Sequence, residues 1–185
     1  MHGIFLTEFK KYVKATRGDA AWDAIRAKAG LDGRAYVPVQ QYPDKEAAAL
    51  VAAASAIDGA AATQILENYG RFIVADLLSL YRGLLRPDWR SLEVIEHAQE
   101  MIDRVKRLNG LAVGLPELSV QRANPDRLLV RYESPRKLCN VGKGMLRGIG
   151  DYFGDELEVT EDACMLEGHP FCRVGVSVVA AVAAA

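Results

Sequence analysis

Cysteine and histidine are scarce in this chain, with three of each among 185 residues. Net charge is scarce as well. The formal value of −1, from 23 basic and 24 acidic residues, leaves no electrostatic footprint for nucleic acid or for an anionic membrane surface. No apolar run reaches the ~20 residues that a membrane-spanning helix requires, and Glu8, Lys10 and Lys11 stand where a signal peptide would carry its apolar stretch. These absences predict a cytoplasmic protein with neither nucleic acid nor membrane as a partner. Enzyme signatures are missing too: there is no Gly-rich phosphate loop, no Ser/His/Asp or Cys/His set with an evident base, and no pattern for a catalytic zinc with an open position. The expectation is a binding domain, not an enzyme.

What is present is a hydrophobic half of the chain, enough to build the core of one domain. Ile4, Phe5, Phe9, Tyr12 and Val13 recur at helical spacing, and the same period predicts helices over 1–16, 20–29, 45–57, 61–80 and from Asp88 or Ser91 to 108. Asp19 is read as an N-cap, residues 36–42 as extended, Pro43-Asp44 as a turn, and Asn109-Gly110 as the stop of the fifth helix. After Pro116 the period switches from 3.6 to 2. Strands are expected at 118–121, 127–132, 157–160 and 172–179, with a glycine-containing helix at 141–153 between the second and third. The fold class is therefore α+β: an N-terminal helical part followed by an antiparallel sheet with one inserted helix. Residues 1–179 form one domain, and the alanine-rich 180–185 reads as a frayed tail or a linker.

The three cysteines, Cys139, Cys164 and Cys172, all fall in one short segment, with Glu161 and His169 interleaved. Thiolate, carboxylate and imidazole are ligand types for tetrahedral zinc. Three thiols cannot all pair as disulfides, so the choice lies between a metal site and buried thiols. Just before them stands Tyr132-Glu133-Ser134-Pro135-Arg136. Period two puts Tyr132, Ser134 and Arg136 on one face, where two hydroxyls and a guanidinium would form an anion receptor. An ordinary solvated strand end is the other reading.

Tyr132, Ser134 and Arg136 resemble the Tyr-x-Ser-x-Arg signature of the H-NOX (heme nitric oxide/oxygen binding) family. The likeness extends to Met1-His2-Gly3-Ile4-Phe5, Trp22-x-x-Ile25 with Ala29-Gly30-Leu31, Tyr42-Pro43-Asp44, and Tyr69-Gly70-Arg71-Phe72. The resemblance implies a bacterial-type sensor domain that binds heme and passes a conformational signal to a partner protein or a fused output domain. It implies that Tyr132, Ser134 and Arg136 hold the propionates and that Phe5, Phe9, Pro116 and Val141 belong to the heme pocket. Val141 is apolar near the family's distal hydrogen-bonding position, which would favour NO over O2. The cysteine pattern is similar to the zinc site of some H-NOX proteins and of the related vinyl-reductase-like sensor domains, implying structural zinc on Cys139, Glu161, Cys164 and Cys172, with His169 as the substitute for Glu161.

One family feature is absent. The axial His expected near Met101-Ile102-Asp103 has no counterpart, which leaves His97, or His2 from the distal side, as the available imidazole. The alternative is a heme-independent sensor in which the same cavity holds a small aromatic or apolar molecule, or another tetrapyrrole, beside a structural zinc.

Overall fold

Helical periodicity followed by alternation predicts helices first and strands afterwards, and that order holds. The structure, a computed structural model, describes residues 1–109 and 115–181. Helix α1 (Gly3–Arg17) buries Leu6, Phe9, Tyr12 and Val13, the stripe its spacing announces. Gly18, at φ 84°, turns the chain directly into α2 (Asp19–Lys28). Gly18 therefore occupies the cap position, and Asp19 is the first helical residue. The segment 36–42 joins no sheet. Among the described residues its pairing is a single bridge between Gln41 and His2. Pro43 leads into α3 (Asp44–Asp58), which ends on the left-handed Gly59, and α4 (Ala62–Leu80) follows with Ile65, Tyr69, Ile73 and Val74 buried.

The fifth expected helix is two. Helix α5 (Ser91–Glu96) and α6 (Ala98–Asn109) meet at His97, whose backbone leaves the helical region at φ −94°, ψ 10°. The His97 ring stacks on Trp89 with centroids 4.5 Å apart, and Arg122 of the first strand pairs with both Glu93 and Glu96. These tertiary contacts fix α5 in a way that no periodicity announces. Gly110, the expected stop after α6, lies outside the described residues.

The sheet contains β1 (Glu117–Asn124), β2 (Arg127–Glu133), β3 (Asp155–Ala163) and β4 (Cys172–Ala181), antiparallel throughout and in the order β1-β2-β4-β3. The Asn124 side chain accepts a hydrogen bond from the Asp126 N–H at 3.0 Å, closing the first hairpin as an Asx turn. Strand β4 runs through Ala181, so it takes up the first two residues of the expected tail; 182–185 lie outside the described residues.

Helix α7 (Cys139–Phe153) is inserted between β2 and β3 and packs against α4 at unusually short range. A Cβ on Gly144 would overlap the Glu67 carbonyl, and one on Gly70 would overlap the Val141 carbonyl. Glycine at these positions lets two helix backbones touch. Two apolar clusters lie to either side, one on the sheet with α5 and one among α1 to α4. No single described helix is long and apolar enough to cross a membrane; α3 and α4 reach that composition together but are bent by 110°.

Candidate functional site

A cavity of 280 Å³ opens at the seam between the two apolar clusters. Alternation along β2 buries Leu128, Val130 and Tyr132 on its core side, and the same parity carries past the strand end to buried Ser134. Arg136 lies in the turn that follows, closed by the Lys137 N–H donating to the Ser134 carbonyl at 3.1 Å, with Lys137 itself left-handed at φ 50°. Tyr132, Ser134 and Arg136 all line the cavity. The remaining wall is almost wholly apolar. Helix α1 contributes Ile4 and Phe5, α4 contributes Val74, Leu77 and Leu78, and α6 contributes Ala98, Met101, Ile102 and Val105 at spacings of three and four.

Of the other residues the sequence singles out, Phe5, Pro116, Val141 and His2 line the cavity. Phe9 does not. It packs edge-on against Tyr69 at 5.3 Å within the helical cluster. His97 is off the cavity as well, held against Trp89 with Nδ1 3.5 Å from Glu100.

Charge gathers at one end. Asp44 joins two cations, accepting from the Met1 amino group at 2.5 Å and from Arg136 Nε at 2.9 Å. Arg136 and then the amino group hold the Asp44 carboxyl below its ordinary range. Burial pushes the Tyr132 phenol up to about 12, Cys139 and Cys172 adding to the shift, while Ser134 and the Leu138 backbone oppose it. Asp44 and Arg136 are 92 residues apart, and nothing in the sequence joins them. Lys143, which also lines the cavity, has a weak signal: it lies one helical turn after Cys139.

His2 stands just before α1 and makes no capping hydrogen bond. Its Nδ1 is shut off from solvent and finds no hydrogen-bond partner among the described residues. Burial, followed by the neighbouring amino group, lowers its pKa, favouring the neutral ring.

The thiols converge beside this cavity because three elements deliver them: the first turn of α7, the end of β3 and the start of β4. Cys172 is in register with Tyr132 across β4 and β2. Cys139 and Cys164 sulfurs are 3.7 Å apart, Cys164 and Cys172 4.0 Å, and all three lie within 4.8 Å of one another. All are buried and free. Burial first, and then the adjacent thiols, pushes Cys139 up to about 12. Three sulfurs at this spacing suit a tetrahedral ion, which would hold them as thiolates instead. Glu161 lies outside this trio. One of its carboxylate oxygens accepts from Lys143 Nζ at 2.8 Å, and the other is buried without a hydrogen bond of normal geometry among the described residues. Its charge adds to the burial that raises the Cys164 thiol. The His169 side chain is exposed, and its backbone N–H donates to the Cys164 carbonyl at 3.2 Å.

This architecture matches solved H-NOX structures over nearly its whole length. The H-NOX protein from S. oneidensis in the Fe(II)NO ligation state superposes with a TM-score of 0.89 at 21% identity, covering 97% of this chain and all of that one. A mutant of the T. tengcongensis H-NOX gives 0.86 at 19%, covering 98% and 100%. A mutant H-NOX protein from K. algicida, Fe(II) and unliganded, gives 0.84 at 20%, covering 98% of each. At such identities the likeness is one of fold. No curated protein matches by sequence. The family model for haem-NO-binding domains, however, matches residues 2–161, and the chain belongs to that family, whose members are heme-binding gas-sensor domains and not enzymes.

Proposed function

We propose that this chain binds heme in the cavity beside β2 and senses a diatomic gas, with Tyr132, Ser134 and Arg136 receiving the two propionates. The observation that carries the reading is the position of those three polar residues together on the wall of one largely apolar cavity. Heme is flat, apolar over most of its surface and anionic along one edge, and an apolar slot with a guanidinium and two hydroxyls at one end is complementary to that shape. When bound, heme supplies an iron to which the gas coordinates. Arg136 would share its charge between Asp44 and the ligand, and Tyr132 and Ser134 would donate from the floor. Val141 and its apolar neighbours offer no donor to polar bound O2, which favours NO. The signal passes to a partner protein or an output domain.

Structural zinc on Cys139, Cys164 and Cys172 belongs to the same reading. Glu161 completes the set once its second oxygen turns to the metal, with His169 the substitute.

A second reading is favoured by the α6 wall, where Met101 and Ile102 offer no imidazole. Here the cavity holds a small apolar or aromatic molecule, or another tetrapyrrole, without heme. One experiment separates the two. Protein expressed with heme supplied is expected to show a Soret band and about one zinc per chain. Absence of the band with zinc retained would retire heme and leave the heme-independent sensor.

A further inference from the structure

We propose that His2 supplies the protein's axial ligand to the heme iron, from the α1 side of the cavity, so that gas meets the iron from the α6 side. The inference rests on the heme reading above. It begins with an accounting of the three imidazoles. His97 is turned away onto Trp89, and His169 is exposed beyond β3. His2 alone lines the cavity. Its Nδ1 is closed to solvent and finds no hydrogen-bond partner among the described residues, so the nitrogen that would reach the iron is Nε2, at the other end of the ring.

The competing donors on the cavity are weaker or already engaged. Cys139 and Cys172 belong to the three-sulfur cluster. Lys143 is ion-paired with Glu161, and an ammonium has no lone pair to give. The thioethers of Met1, Met101 and Met145 also line the space, but neutral imidazole is the ordinary nitrogen ligand of a gas-sensing heme.

The backbone at His2 suits a tether. Its bridge to Gln41 and the Gly3 N–H bond to the Gln40 carbonyl at 2.7 Å anchor the start of α1. One residue earlier, the Met1 amino group shares Asp44 with Arg136. Ligand and propionate receptor therefore meet in one ion-pair network at the head of α1. On the other side, gas would encounter Met101, Ile102 and Val105, which take the place given above to Val141 and likewise offer no hydrogen-bond donor. The moving element is then α1, not α6.

The test is titration of the apoprotein with hemin, followed by reduction and resonance Raman detection of the iron–imidazole stretch, in wild type, His2→Ala, His2→Gln and His97→Ala. Circular dichroism checks that each variant is folded. Wild type and His97→Ala are expected to show the mode. Both His2 variants should lose it and bind hemin about a hundredfold more weakly, the upper scale of even an outer-shell loss at a metal. Added imidazole should restore the mode in His2→Ala. An unchanged mode in the His2 variants, or a wild type that binds hemin tightly with no imidazole mode, would overturn the assignment while leaving the propionate receptor intact. A wild type that binds no hemin would overturn the heme reading itself and this assignment with it.

Discussion

The sheet side and the helical side of the cavity obey different rules. The sheet side holds its polar groups, Tyr132, Ser134 and the thiols, on a strand ladder and on the first turn of α7, and they lie within a short stretch of sequence. Among the described residues the helical side is mostly apolar along α4 and α6, with Tyr81 at the end of α4, and its charge lies at the head of α1, where His2, the Met1 amino group and Asp44 gather. On the proposed heme reading, receiving the ligand's carboxylates and tethering its metal would be separable tasks, and only the first has a local sequence pattern here.

The strongest way to break the sheet side is Cys164→Ser. It should reduce zinc to well under one per chain by elemental analysis and lower unfolding stability by about 3 kcal/mol or more, since binding energy at a structural zinc is folding energy. On the helical side, Met101→His placed in the His2→Ala background should move the tether from α1 to α6. Hemin affinity is expected to rise about tenfold or more over His2→Ala, with the iron–imidazole stretch regained. Arg136→Ala tests the sheet side without touching the metal. It should weaken hemin binding about tenfold, the loss of one charge-assisted hydrogen bond, and leave the axial spectrum unchanged.

Smaller effects sharpen the contrast. His97→Ala should lower stability by no more than ~1 kcal/mol, the worth of an aromatic stack, with no change in the Soret band. Asp44 gives the pH dependence. Its folded pKa lies below the ordinary 3.8, so its contribution is present above that value and fades as pH falls through the folded pKa. Thermal melts of wild type and Asp44→Asn should therefore converge at pH below about 4 and diverge modestly above it, a small difference because Asp44 is 53% exposed.

Much of the fold was legible because short-range rules govern it. Helix stripes, Gly stops and the change of period after Pro116 are local, and so is the parity that brings Tyr132 and Ser134 to one face. The break at His97 was not legible, because it depends on Trp89 and on Arg122 from β1. Phe9 illustrates a limit of helical periodicity: Phe5 and Phe9 share a stripe, yet only Phe5 reaches the cavity while Phe9 is taken up by Tyr12 and Tyr69. Asp44 escaped because its partnership with Arg136 spans half the chain. For the thiols, residue type and clustering were enough to foresee that the three sulfurs meet; Lys143 stands on Glu161, and that pairing follows from the path of α7 past β3.

The glycine seam between α4 and α7 has a mechanical meaning. With Gly70 and Gly144 bringing main chain against main chain, little side chain lies between the two helices at those two points to absorb sliding. They act as a single keel joining the helical half to the sheet half. On the proposed sensor reading, displacement set off by a ligand would travel through whatever is hinged onto that keel, the head of α1 on one side or the α5–α6 joint on the other. A bulky residue at Gly144 would work as a shim, prying the halves apart and opening the cavity with no ligand present.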